Sequence, residues 1–160
     1  EVLYVLNKEK RRFPITSSKY ALNGYQKGRC FYCAIDISIQ SGNENSCEVD
    51  HFFPETLKNY DFNHPQLNEI WNLVLSCRNC NRGIGGKFDR IADIKFLYSL
   101  NNRNNFYIES HHPLRETIVN QTGKSADSRV IFLQDFFDQA VSSIPSVNKW
   151  KPPELYGEQL

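Results

Sequence analysis

Cys30-Phe31-Tyr32-Cys33 and Cys77-Arg78-Asn79-Cys80 are the two stretches on which the reading of this chain turns. In each, a gap of two residues lets both thiolates approach one tetrahedral ion, and two such pairs together make a closed four-sulfur zinc site. A pair of disulfides, or a redox CxxC motif, is the competing reading. The charged start Glu1 to Arg12 lacks the apolar stretch of a secretory signal, which weighs against disulfides, and the duplication weighs against a single redox pair. Zinc is therefore preferred. A structural zinc contributes on the order of 10 kcal/mol to the folding of a small domain, which matters where the strands are short. Four thiolates leave no coordination position open, so a catalytic ion must lie elsewhere. The fifth cysteine, Cys47, reads as a small buried residue on a strand.

Working outward, the 160 residues suffice for one domain, or for a small core with a helical extension. Apolar residues at 40% and aromatic residues at 13% exclude overall disorder. A formal net charge of +1 means that any nucleic-acid contact is a local basic patch. No apolar run approaches the ~18 residues that span a bilayer, and a soluble, cytoplasmic protein is expected. The chain contains no methionine, position 1 included, so it is expected to begin inside a longer open reading frame.

Ser17 or Ser18 is placed to cap a short helix through Tyr25, stopped by Gly28. Alternation predicts strands over 34–40 and 47–53, the second ended by Pro54, and the apolar run 70–76 predicts a third. Gly85 and Gly86 delay or break the helix after the second knuckle. Helical spacing returns at Ile91, Ile94, Phe96, Leu97 and Leu100, after Pro113, and at Val130, Ile131, Leu133, Phe136, Phe137 and Val141. The segment from Ile144 on, with Pro145, Pro152 and Pro153, reads as extended.

The 43 residues between Cys33 and Cys77 exceed what a zinc ribbon needs, and they hold Cys47-Glu48-Val49-Asp50-His51-Phe52-Phe53-Pro54. Trp71-Asn72-Leu73-Val74-Leu75 follows, and then Asn81-Arg82 directly after the second knuckle, with Lys87 beyond the glycines. Over residues 30–90 this order resembles the HNH (ββα-metal) endonuclease family. The resemblance implies a hard-metal ligand at Asp50, the general base at His51, a brace for the His51 loop at Asn72, and a second metal ligand at Asn81. Asn81 stands where the family usually has its final His, which makes this an HNN variant. The family's lysine usually follows the knuckle more closely than Lys87 does.

The chemistry is coherent on its own terms. Phosphodiester hydrolysis needs a nucleophile made from water and a counter-charge for the phosphate and the leaving 3′ oxygen. A neutral histidine accepts the water's proton near pH 7. An Asn carbonyl and an Asp carboxylate are hard ligands, which favours Mg²⁺ or Mn²⁺ over a catalytic zinc. Asp50 and His51 diverge on a regular strand and so serve two sides of a phosphate. Arg78, Arg82, Lys87 and Arg90, opposed only by Asp89, read as a phosphate-binding surface. The run Lys8 to Arg12 is a second basic segment. His111 and His112, before Pro113, read as solvated or capping groups, as does His64. Phe96, Phe132, Phe136 and Phe137 read as core.

The expected fold class is α+β: a small ββα-metal core stapled by a four-cysteine zinc site, with a mostly helical C-terminal extension. The segments expected are an N-terminal piece with a short helix (1–29), a nuclease core (30–90) and a helical extension with a Pro-containing tail (91–160). The function implied is a metal-dependent endonuclease cutting DNA, as the cutting module of a restriction or phage-defence protein. Other domains of a larger protein, or a second copy, are the expected protein partners. The alternative is a zinc-knuckle module that binds nucleic acid or another partner without turnover.

Overall fold

The computed structural model describes residues 4–6, 12–60, 66–144 and 149–153, with side chains from residue 18 onward. They form an α+β fold of two antiparallel two-stranded sheets and five α-helices. The elements are β1 (Tyr4–Leu6), β2 (Arg12–Pro14), α1 (Ile15–Gln26), β3 (Glu48–His51), β4 (Leu73–Ser76), α2 (Arg78–Arg82), α3 (Ile94–Glu109), α4 (Arg115–Thr122) and α5 (Ala126–Ser143). The chain divides into two compact units. The first takes Glu1–Phe52, Leu73–Phe88 and Lys151–Leu160; the second takes Phe53–Asn72 and Asp89–Trp150. Helix α1 thus shares a unit with the strand pair β3–β4, and the 53–72 segment shares one with the long helices.

In the first unit, α1 begins directly after Pro14, earlier than a serine cap would set it, and ends where Lys27 and Gly28 take positive φ of 50° and 74°. The Gly28 amide donates to Asn23 Oδ1 at 2.7 Å, which satisfies the helix end. β3 pairs with β4 in the register Glu48↔Ser76, Val49↔Leu75, Asp50↔Val74 and His51↔Leu73. β4 is wholly buried, so its second edge needs partners. Gln26 supplies them: Nε2 donates to Leu75 O at 2.7 Å, and the Leu75 amide donates to Oε1 at 2.9 Å. The Phe31 amide, inside the first knuckle, also donates to Leu75 O at 3.0 Å.

The strand expected over 34–40 does not form. Ala34 takes a left-handed φ of 63° and its amide closes the knuckle onto Cys30 O at 3.0 Å. Ser38 Oγ then accepts from Gln40 N and Asn43 Nδ2, each at 3.1 Å, so local side-chain bonds replace a ladder. Only isolated bridges remain, Arg29↔Asp36 and Ser38↔Ser46. The strands expected over 47–53 and 70–76 are both shorter, since Ile70–Asn72 tightens into a 3-10 turn.

The second unit is built on rings. Phe53 lies 4.7 Å from Phe136 and Trp71 lies 5.0 Å from Phe136, centroid to centroid, all three being buried. Phe96 and Phe137 are buried as expected, while Phe132 is half-buried with its ring 4.9 Å from Trp71. Arg103 on α3 is also buried. Its guanidinium donates to Trp71 O at 2.8 Å and to Ile70 O at 3.3 Å, which supplies donors to the carbonyls of the 3-10 turn. Helix α3 starts at Ile94 instead of Ile91 because Asp93 caps it, accepting from the Lys95 amide at 3.0 Å. Ile91 and Asp93 instead exchange backbone bonds with Trp150, both at 2.8 Å. Ser125 and Ser128 form a reciprocal cap at the start of α5, and Val130 and Ile131 of that helix are exposed. His111 is exposed, and His112 Nδ1 accepts from the Leu114 amide at 3.1 Å in the turn before α4, a helix whose N-cap, Leu114, has no side-chain capping bond. Lys8, Lys10, Arg11, His64 and Pro145 lie outside the described residues, and Arg12 outside the described side chains.

Candidate functional site

The two knuckles converge. The sulfurs of Cys30, Cys33, Cys77 and Cys80 all lie within 4.8 Å of one another. The first pair follows α1, Cys77 follows β4 and caps α2, and Cys80 lies within α2. The Cys33 and Cys77 sulfurs are 3.8 Å apart, which matches the roughly 3.8 Å edge of a tetrahedron with Zn–S bonds of ~2.3 Å. The Cys77 amide donates to Cys30 Sγ and the Cys80 amide to Cys77 Sγ, both at 3.3 Å, so backbone dipoles already favour thiolates. Hydrogen bonds from Cys33, Cys77 and Cys80 hold the Cys30 thiol well below its ordinary range. The thiols of Cys33 and Cys80, both facing Cys30, are pushed up. Four sulfurs this close cannot all ionise without a cation among them. The donor set and its spacing fit a zinc ion, and four thiolates would leave it no open position. Cys47 is buried outside this cluster, with its thiol raised by burial.

A second cluster is built on β3. Glu48 and Asp50 are two residues apart on the strand and so share a face. The Asp50 side chain is nearly enclosed. Its Oδ2 accepts from the Tyr32 hydroxyl at 2.6 Å and pairs with Lys87 Nζ at 3.2 Å. Among the described residues, Oδ1 has no hydrogen-bond partner. Lys87 is 0% exposed and also donates to His51 O at 2.9 Å. Burial, and then the Asp50 charge, raise the Tyr32 phenol well above its ordinary value. Glu48 carries the α2 side of the same face: Asn81 Nδ2 donates to Oε1 at 3.2 Å, and Arg82 grips both carboxylate oxygens at 2.9 and 2.6 Å. The Asn81 amide nitrogen is thereby committed, which turns its carbonyl oxygen away from Glu48.

Lys87 reaches Asp50 through a folded turn. The Gly86 amide donates to Gly83 O at 2.8 Å, Lys87 N to Cys80 O at 2.6 Å, and Phe88 N to Asn81 O at 2.9 Å, so the chain returns to α2 where it left. A Cβ on Gly83 would sit 2.7 Å from Asn79 Cα, and one on Gly86 2.9 Å from Asn79 O. Only glycine fits at these two positions. Ile84, at the tip, is 100% exposed.

Of the residues singled out in the sequence, the fold brings together the four cysteines, pairs Asp50 with Lys87, and sets Asn81 and Arg82 on Glu48. His51 is half-buried at the end of β3, on the face opposite Asp50. Arg78 is exposed at the start of α2, whereas Lys87, read as a phosphate contact, is enclosed. Asn72 and Arg90 belong to the second unit. There Asn72, 0% exposed, accepts from Phe53 N at 2.8 Å and donates to Phe53 O at 2.9 Å and Leu67 O at 2.8 Å. Tyr32 and Glu48 were not singled out in the sequence. Strand alternation from Asp50 would have found Glu48; nothing in the spacing marks Tyr32.

Among the described residues, no helix is long and apolar enough to cross a membrane. No protein-family model, no curated protein and no solved structure matches this chain.

Proposed function

We propose that this chain is a divalent-cation-dependent endonuclease domain of the HNH type, in an HNN variant, that hydrolyses phosphodiester bonds in DNA. One observation carries the reading: an antiparallel strand pair, β3–β4, is followed by α2, whose Asn81 bonds to Glu48, two residues from Asp50 on the same strand face, beside a four-cysteine cluster. Asp50 Oδ1 and the Asn81 carbonyl are hard oxygen donors suited to Mg²⁺ or Mn²⁺. An ion bound there would supply counter-charge to the scissile phosphate and the leaving 3′ oxygen. His51, on the other side of the strand, takes the proton of the attacking water. Asn72 fixes both backbone groups of Phe53, and a brace for the His51 loop is the role the resemblance gives it. Arg78, exposed at the start of α2, offers charge to a neighbouring phosphate, whereas Arg82 is already paired with Glu48. A zinc ion in the cysteine cluster is structural, since a closed four-thiolate site performs no hydrolysis. The biological setting proposed is a cutting module in restriction or phage defence.

The Asp50–Lys87 pair favours a second reading, a binding module without turnover, because the carboxylate already has a cation. Cleavage of supercoiled plasmid with Mg²⁺, Mn²⁺ or EDTA, by wild type and His51→Ala, separates the two. The nuclease reading expects metal-dependent nicking that falls by at least about a hundredfold in the variant. Folded, zinc-loaded wild type that leaves DNA intact while retaining it in a binding assay would support the module instead.

A further inference from the structure

We infer that Lys87 is a resident counter-ion for Asp50 that, together with Tyr32, withholds one carboxylate oxygen, so that a divalent cation is offered Oδ1 alone and is bound weakly. The inference rests on Asp50 being a metal ligand in the function proposed above. Both groups that hold Oδ2 are nearly or wholly enclosed: Tyr32 is 7% exposed and Lys87 0%. Both are also carried by the knuckles. Tyr32 lies between Cys30 and Cys33 in the chain, and the Lys87 amide is tied to Cys80 O. The four-cysteine cluster therefore sets the surroundings of Asp50 from two directions.

The ammonium is 3.2 Å from Oδ2 and 2.9 Å from His51 O, and its Nζ stands 6.0 Å from the centre of the Tyr32 ring. These partners fix it in a dry setting, where a unit charge acts over a few ångströms with little screening. A dication arriving at Oδ1 meets a carboxylate that a cation has already largely neutralised. The affinity is correspondingly low, and a phosphate brought by nucleic acid would add the ligand charge the site lacks. Ligands that only build a metal site weaken binding when they are removed. A counter-ion does the reverse, so the sign of the effect identifies the role.

The test is Mn²⁺ binding to the zinc-loaded full chain without nucleic acid, read from the electron paramagnetic resonance signal of free Mn²⁺. Wild type, Asp50→Asn, Lys87→Met and Tyr32→Phe are compared at equal zinc content. Lys87→Met keeps the stem and removes the charge, and it is expected to tighten Mn²⁺ binding about tenfold or more. Tyr32→Phe keeps the ring, which stacks on Phe52 at 6.5 Å, and frees Oδ2 of one donor. It is expected to tighten binding severalfold, and it stands as the test if Lys87→Met does not fold. Equal Mn²⁺ binding by wild type and Asp50→Asn would remove Asp50 as a ligand, and with it both this inference and the metal assignment beneath it. Binding that needs Asp50 but is unchanged or weakened in the other two variants would overturn the counter-ion role alone.

Discussion

Asn72→Ala is the substitution whose cost the structure fixes most closely. The side chain is 0% exposed and makes three hydrogen bonds, with Phe53 N, Phe53 O and Leu67 O, at 2.8 to 2.9 Å. Each is worth about 1 kcal/mol net, and leaving a buried backbone group without its partner costs about 1 to 3 kcal/mol more. Some of those groups will recover water, so a total near 3 to 5 kcal/mol is expected, a large part of the ~5 to 15 kcal/mol that holds a domain folded. Urea denaturation followed by tryptophan fluorescence measures it, since Trp71 adjoins Asn72 in the 3-10 turn. The expected result is a lower midpoint at unchanged slope. Asn72→Asp should lose at least as much, because it replaces the donor that faces two carbonyls with an acceptor. Loss of less than about 1 kcal/mol in both variants would refute the argument that this asparagine holds the turn.

Two further outcomes follow from the first unit. One zinc per chain is expected by metal analysis. Cys80→Ser, or a strong chelator, should remove it and melt the first unit with a loss of several kcal/mol; full helicity in circular dichroism after chelation would contradict this. The Tyr32 phenol is raised by burial and by Asp50. A raised folded value contributes stability that is present below the unfolded value of about 10 and is lost as pH climbs beyond it toward the folded one. Tyr32→Phe should therefore flatten the alkaline limb of the stability curve, and an unaltered limb in that variant would show the phenol to be in ordinary surroundings.

Local chemistry was legible in the sequence. Two-residue gaps between cysteines bring sulfurs together wherever the knuckles land, and the helical spacing from Leu133 to Phe137 needs only its own turn to bury a stripe. What escaped depends on distant partners. The 34–40 stretch alternates like a strand, yet the turn at Ala34 and the bonds of Ser38 use the backbone locally. Lys87 sits in a basic run that reads as surface, and only the chain's return to Cys80 buries it. Arg103 gives no signal as the partner of Ile70 and Trp71, because a lone arginine on a helix is ordinarily solvated. The same holds for the candidate site. Asp50 and Asn81 stand out by motif, whereas their neighbours Tyr32 and Glu48 gain meaning only when the strand and the knuckle are set side by side.

The glycine-bounded turn after α2 bears on how such chains are to be matched to one another. Between Cys80 and Lys87 the backbone makes a closed excursion, leaving and rejoining α2 at hydrogen-bond distance. A pattern that counts residues from the knuckle would pass over this lysine. One that allows an excursion of variable length, with glycines at its two points of close approach, would find it and would treat Ile84 as a position free to vary.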